Sequence, residues 1–249
     1  MDSGRLQKER SFHDDRFKGN DDLRKAAKKY YTVNAGGWNK YVRIISQYCK
    51  DARVLEYGCG TGSGSIQWLK LGAILTGIDL SSEGIEKAKK QIADTEYEAS
   101  YFVMDAENTE FAECHFDMII GSGIIHHLDL EKSYGELNRI LKKDGRAVFV
   151  EPLGHNPLIN LYRNLTPKMR TEDEHPLLEK DLLLLEKYFH SVEIKYFSLF
   201  TLLAVPFRNT FLFNGLCSIL GKIDQMVFLI PPARKYAWTV VIHASNPKK

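Results

Sequence analysis

The sequence predicts an α/β fold of the doubly wound kind, a mostly parallel sheet with helices on both faces. Short apolar runs alternate with helix-forming stretches through most of the 249 residues, the order that builds parallel strands through crossover helices. The first five runs are apolar without strict alternation, as strands covered on both faces are. A glycine-rich turn follows the first run, in Val54-Leu55-Glu56-Tyr57-Gly58-Cys59-Gly60-Thr61-Gly62, and marks the end of the sheet where a ligand belongs.

In chain order, the first 20 residues are highly polar and are expected to be loose at the tip. Helix-forming content covers 21–31, and Gly36-Gly37 is expected to break it before a second helix at 39–48. A strand at 53–57 leads into the glycines, with a helix at 62–71 opening directly after them. A strand at 73–79 precedes a helix at 83–92, with Ser81 and Ser82 as candidate caps. Strands follow at 100–104 and 116–121. A helix at 131–143 is closed by Asp144-Gly145, and the fifth strand spans 146–151. A helix at 177–188 and strands at 192–199 and 236–244 complete the chain.

The bulk numbers fit one soluble domain with additions: 44% hydrophobic, 27% charged, net charge +2. That charge gives no general argument for nucleic acid, and no Lys/Arg cluster with interleaved aromatics stands near the glycine turn. Cys49, Cys59, Cys114 and Cys217 form no C-x-x-C pair and read as free thiols of a reducing compartment, which suggests the cytoplasm. The polar start is not expected to act as a signal peptide, and no apolar run reaches the ~18 residues of a membrane span. Residues 1–49 are read as a helical cap and 50–249 as the main domain, with insertions at 152–175 and 200–235.

The glycine frame decides between ligands. A dinucleotide turn wants G-x-G-x-x-G/A, yet the third position is Ser63 from Gly58 and Ser65 from Gly60. A P-loop needs Gly-Lys-Ser/Thr, and no lysine lies between Lys50 and Lys70. What remains is G-x-G-x-G with Glu56 two residues ahead. This resembles the first motif of the class I S-adenosylmethionine-dependent methyltransferases, whose cofactor carries an ammonium and a sulfonium and so suits a negative site. The alternative is a glycine turn that binds nothing.

Asp79-Leu80 ends the second strand, 21 residues past Gly58, where a carboxylate can accept both ribose hydroxyls of an adenosine. Asp79 alone is also a good helix cap. Asp105-Ala106 after the third strand matches the family position that holds the adenine amino group. The run Phe116-Asp117-Met118-Ile119-Ile120-Gly121, followed by Ser122-Gly123-Ile124-Ile125-His126-His127-Leu128, resembles the family's fourth strand and its exit. The resemblance covers about 50–151 and is nearest to the branch with ubiquinone- and menaquinone-pathway enzymes. It implies a seven-stranded sheet with an antiparallel last strand, and Glu56, Gly58, Gly60, Gly62, Asp79, Leu80, Asp105, Ala106 and Gly121 as cofactor residues.

For an oxygen or carbon acceptor a base is wanted. His126 and His127 leave the fourth strand at the site edge and can serve, although one can instead pack or cap the next helix. Glu151 and His155 are further candidates, with Tyr162 and Arg163 available to orient a polar group. His13, His115, His190 and His243 receive no role, and no metal is expected, because no H-E-x-x-H or close ligand cluster is visible. The apolar insert at 200–235 is read as a lid over a lipophilic acceptor. A homodimer interface, a peripheral membrane contact and extra core are its other readings. The function expected is S-adenosylmethionine-dependent O- or C-methylation of a small lipophilic molecule. A non-catalytic binding protein on the same fold is the first alternative, and an NAD-dependent oxidoreductase is disfavoured by the glycine frame.

Overall fold

The structure, a computed structural model, describes residues 3–19, 32–167 and 175–249. The helix expected at 21–31, with Tyr30 and Tyr31, lies outside the described residues.

Seven strands form one sheet: β1 (Arg53–Tyr57), β2 (Ile74–Asp79), β3 (Ala99–Val103), β4 (Phe116–Ser122), β5 (Leu141–Pro152), β6 (Phe189–Phe197) and β7 (Thr239–Pro247). Their order is β3-β2-β1-β4-β5-β7-β6. β1 to β5 pair in parallel, whereas β7 runs antiparallel between β5 and β6. The doubly wound sheet with an antiparallel last strand is therefore the fold, as the sequence led us to expect. Strand order reverses between β1 and β4, and the crevice there is where open α/β sheets take ligands.

Eight helices matter here: α1 (Ser3–Lys18), α2 (Ala35–Ser46), α3 (Ser65–Lys70), α4 (Ser82–Ala93), α5 (Leu130–Ile140), α6 (Pro157–Leu165), α7 (Glu179–Tyr188) and α8 (Phe213–Val227). Alternation along the strands sends side chains to two cores. Leu55, Tyr57 and Ile119 join Leu137 and Leu185 on the α5/α7 face. Val54, Met118 and Ile120 join Ile45, Trp68 and Ile85 on the α2/α3/α4 face.

Several local expectations are corrected. Residues 3–18 of the polar N-terminus form a 16-residue helix that the sequence did not lead us to expect. The following helix, α2, begins at Ala35 rather than residue 39, so Gly36 and Gly37 lie in its first turn, where a Cβ on Gly37 would stand 2.8 Å from Asn34 Oδ1 and 3.4 Å from the Phe197 ring. The close packing at this turn requires a glycine at 37, whereas a Cβ on Gly36 would make an ordinary contact with Phe197. α3 begins at Ser65 rather than Gly62, because Gly62 has a left-handed φ of 73° that no α-helix contains. α5 ends at Ile140, not residue 143: the carbonyls of Arg139 and Ile140 accept from the N–H groups of Cys114 and His115, and Leu141 starts β5 against Phe116.

Candidate active site

A cavity of about 1050 Å³ lies at the carboxyl ends of the central strands. Its wall includes Gly58, Gly60, Asp79, Leu80, Ala106, His126, His127 and Glu151. Glu56, Gly62, Asp105, Gly121 and His155 are not on that wall.

The three turn glycines all have positive φ, 63° at Gly58, 53° at Gly60 and 73° at Gly62, a region that L side chains avoid. Each also admits a different neighbour. A Cβ on Gly58 would meet Ile124 at 2.9 Å, on Gly60 Phe17 at 3.2 Å, and on Gly62 Ala88 at 2.9 Å. Gly62 thus serves the close approach of α4, while Gly58 and Gly60 face the cavity. Gly121 is likewise a packing glycine, with Phe149 and Ile124 each 2.7 Å from its would-be Cβ.

Glu56 turns toward α3, where Ser65 Oγ donates to it at 2.6 Å and Trp68 Nε1 at 3.3 Å. Burial pushes its carboxyl up to about 7, which those two donors oppose and the charge of Asp79 reinforces. Asp79 ties the turn to β2: Oδ2 accepts from Gly60 N at 2.9 Å and Oδ1 from Ser81 N at 2.8 Å. Burial raises its pKa too. Cys59 lines the wall between them, and burial beside these two acids lifts its thiol well above the ordinary range. It is a small neutral side chain here, not a thiolate. Asp105 accepts Glu107 N at 2.8 Å and shapes the loop after β3, leaving Ala106 and Glu107 on the wall.

At the other end stands an imidazole–carboxylate pair. Glu151 ends β5 and is 1% exposed. Its Oε1 accepts Ile124 N at 2.9 Å and Ile125 N at 3.0 Å, and its Oε2 lies 2.7 Å from His126 Nδ1. A carboxylate only accepts, so the proton of a neutral ring sits on Nδ1 and its basic lone pair on Nε2.

α1 closes the cavity over the glycine turn; the sequence predicts a helical cap over 1–49, but neither a helix at 3–18 nor its side chains on the wall. Arg5 donates to Glu107 and, at 3.1 Å, to the carbonyl of His127. Asp14 accepts from Ser81 Oγ and from Glu83 N at the start of α4. Phe17 covers Gly60 and Gly84. His13, given no role from the sequence, is on the wall, and with Glu9 it faces His127. Apolar wall comes from Leu6, Phe12, Ile124, Ile159 and Trp238, with Tyr162 and Arg163 from α6 at the rim.

The insert at 200–235 does not wall this cavity; none of its residues borders it. The reason is Asp224 of α8, buried, which accepts the N–H groups of Leu199, Phe200 and Thr201 and the Thr201 hydroxyl. That knot holds α8 on the 3-10 segment Phe200–Phe207, beside α6. Between α6 and that segment is a smaller groove of about 240 Å³, lined by Leu158, Leu161, Leu165, Leu202 and Val205. Ile159 and Tyr162 border both spaces.

Residues 55–149 match the family model described as a methyltransferase domain. A demethylmenaquinone methyltransferase of Chlorobaculum parvum is 30% identical over 128 residues, 48% of this chain and 52% of that protein. A ubiquinone/menaquinone biosynthesis C-methyltransferase of Geotalea uraniireducens is 29% identical over 134 residues, 51% of this chain and 56% of its own. The chain thus spans about half the length of these curated relatives. Among solved structures, a phosphoethanolamine N-methyltransferase of Haemonchus contortus bound to S-adenosylhomocysteine aligns with TM-score 0.62 at 22% identity, over 88% of this chain and 56% of that one.

Proposed function

We propose that this chain, whose residues 55–149 match a methyltransferase domain, is a class I enzyme that transfers the methyl group of S-adenosylmethionine to a small lipophilic acceptor, on oxygen or carbon. One observation carries the reading. A single cavity joins the glycine turn and Asp79 at one end to the His126–Glu151 pair at the other. At about 1050 Å³ it stands at the upper end of the ~300–1,000 Å³ of ligand sites, which suits a cofactor with a small acceptor.

Gly58 and Gly60 let backbone approach the cofactor, Asp79 takes its ribose hydroxyls, and Leu80 and Ala106 flank the adenine. Glu56, Gly62, Asp105 and Gly121 act from behind, shaping and charging the turn and loops. Methyl transfer is an in-line displacement in which position supplies most of the acceleration. His126 Nε2 takes the acceptor proton, and Glu151 fixes its tautomer and stabilises the imidazolium that forms. His127 is the second base candidate and His155 the more remote one. Apolar wall around Phe12, Ile124, Ile159 and Trp238 favours an acceptor such as the demethylated quinone named for the Chlorobaculum relative.

The protein acts in the cytoplasm in this reading, which its four unpaired thiols suit. No helix among the described residues is long and apolar enough to cross a membrane. The exposed apolar insert supports peripheral membrane contact, with a homodimer as the other use of the same surface. The test of the reading is calorimetric titration with S-adenosylhomocysteine, with NAD as control. Micromolar binding of the former alone is expected, about −8 kcal/mol; binding of NAD alone would overturn it.

A further inference from the structure

Glu9 lies on a strongly polar helix, yet it is 4% exposed. Lys, Glu, Arg and Asp are almost never that buried without a partner. Two imidazoles face it. His13, one turn further along α1, brings Nε2 to 3.3 Å from Glu9 Oε2. His127, from the 3-10 turn Ile125–His127 that follows β4, brings Nδ1 to 3.6 Å from Glu9 Oε1. One donor atom from each residue lies within 4.8 Å of the other two. The His13 and His127 rings meet edge to face with centroids 5.7 Å apart. All three residues line the main cavity.

We propose that Glu9, His13 and His127 hold a divalent transition-metal ion, zinc by preference, with a coordination position open to the cavity. The donor set decides the class of ion. Two imidazole nitrogens and one carboxylate suit zinc and its neighbours, whereas magnesium and calcium take oxygen. The geometry agrees. Zinc–ligand bonds of about 2.0–2.1 Å in a tetrahedron put ligand atoms about 3.4 Å apart. His13 Nε2 stands 3.3 Å from Glu9 Oε2 and His127 Nδ1 3.6 Å from Glu9 Oε1. One donor atom from each residue already lies within 4.8 Å of the other two, so a small turn of the carboxylate completes the set. Three protein ligands and one open position is the arrangement of catalytic rather than structural zinc.

Among the described residues two arginines stand near the set. Arg16 Nη1 lies 3.4 Å from His13 Nδ1, so binding a metal through Nε2 leaves the ring proton on Nδ1 and requires Arg16 to turn away. Arg5 donates to the carbonyl of His127 but is paired with Glu107. Two ligands come from α1 and one from the body of the domain, so the metal fastens the helix that covers the cofactor end. All three ligands line the cavity, so an acceptor oxygen bound there would take the open position and lose its proton more readily. Metal binding itself does not rest on the methyl-transfer reading and is measured apart from it.

The experiment uses the full chain, stripped with a chelator and titrated with zinc by calorimetry and with cobalt(II) by visible absorption. One zinc per chain is expected, with the intense visible bands of four-coordinate cobalt. His13→Asn and Glu9→Gln should each weaken zinc at least about 100-fold, with circular dichroism unchanged, while His190→Asn, on distant β6, should not. A cluster that is only an ion pair closing α1 predicts no stoichiometric uptake, and that result overturns the proposal. So do equal zinc affinities in wild type and His13→Asn, or saturation by magnesium with none by zinc. Retained S-adenosylhomocysteine binding alongside absent zinc binding would sink the metal site and leave the methyltransferase reading standing.

Discussion

His126 and Glu151 are one unit, because Glu151 spends Oε1 on two backbone donors and keeps Oε2 for the ring. His126→Ala is expected to lower kcat by about 10²–10⁴-fold while leaving S-adenosylhomocysteine affinity intact. Glu151→Gln should lower it less and shift the pH profile, since the imidazolium loses its countercharge. Steady-state rates over pH, beside calorimetry, check both; equal rates in wild type and His126→Ala would move the base elsewhere. Asp79→Ala should act in the opposite way, weakening cofactor about 10–100-fold through lost charge-assisted bonds. Glu56 gives a third residue-scale test. Its folded pKa, about 7, lies above the unfolded carboxyl value of about 4.3. Its contribution to stability is therefore complete below about pH 4.3 and lost as pH rises through about 7. Glu56→Gln should flatten the decline of melting temperature across that window, and parallel curves for the two proteins would discard this account.

At the scale of elements, α1 is held by charge rather than by apolar contact. Arg5 meets Glu107, Asp14 meets the start of α4, and Lys87 donates to the carbonyl of Phe17. Arg5→Ala leaves the buried Glu107 without its guanidinium, so α1 should exchange amide hydrogen faster and cofactor should dissociate about tenfold faster. Added salt should do the same to wild type only weakly, because Glu107 is buried. Unchanged exchange in α1 would mean that Phe17 alone holds the lid. This helix also explains the limits of the sequence. The glycine turn, Asp79 and the His126-His127 exit are legible because each is a local pattern at a strand end. α1 has no amphipathic stripe, and its partners lie some hundred residues away, so nothing local marks Glu9 or His13 as lining a site. The insert at 200–235 misleads for the converse reason. Its apolarity is plain, but its direction is set by Asp224, whose four hydrogen bonds no spacing rule foretells.

For the whole molecule, the apolar surface left over is the feature with consequence. Phe211 is 93% exposed and Leu229 74%, and α6 adds exposed Leu158, Leu161 and Leu165 beside the small groove. The charged residues of 200–235 are Arg208, Lys222, Asp224, Arg234 and Lys235. Asp224 is buried and fully engaged, so the charge this region shows to solvent is positive. Apolar side chains among cations suit an anionic bilayer surface better than neutral lipid. Ile159 and Tyr162 border both the groove and the main cavity, so this surface lies directly beside the proposed acceptor site. The protein should therefore sediment with vesicles containing phosphatidylglycerol and much less with phosphatidylcholine alone. Each large apolar side chain buried contributes about 1.5–3 kcal/mol, so Phe211→Ser and Leu229→Ser should each weaken binding about tenfold or more. A chain that ignores both vesicles but forms a dimer in equilibrium centrifugation, lost on the same two substitutions, would assign this surface to a second copy of itself.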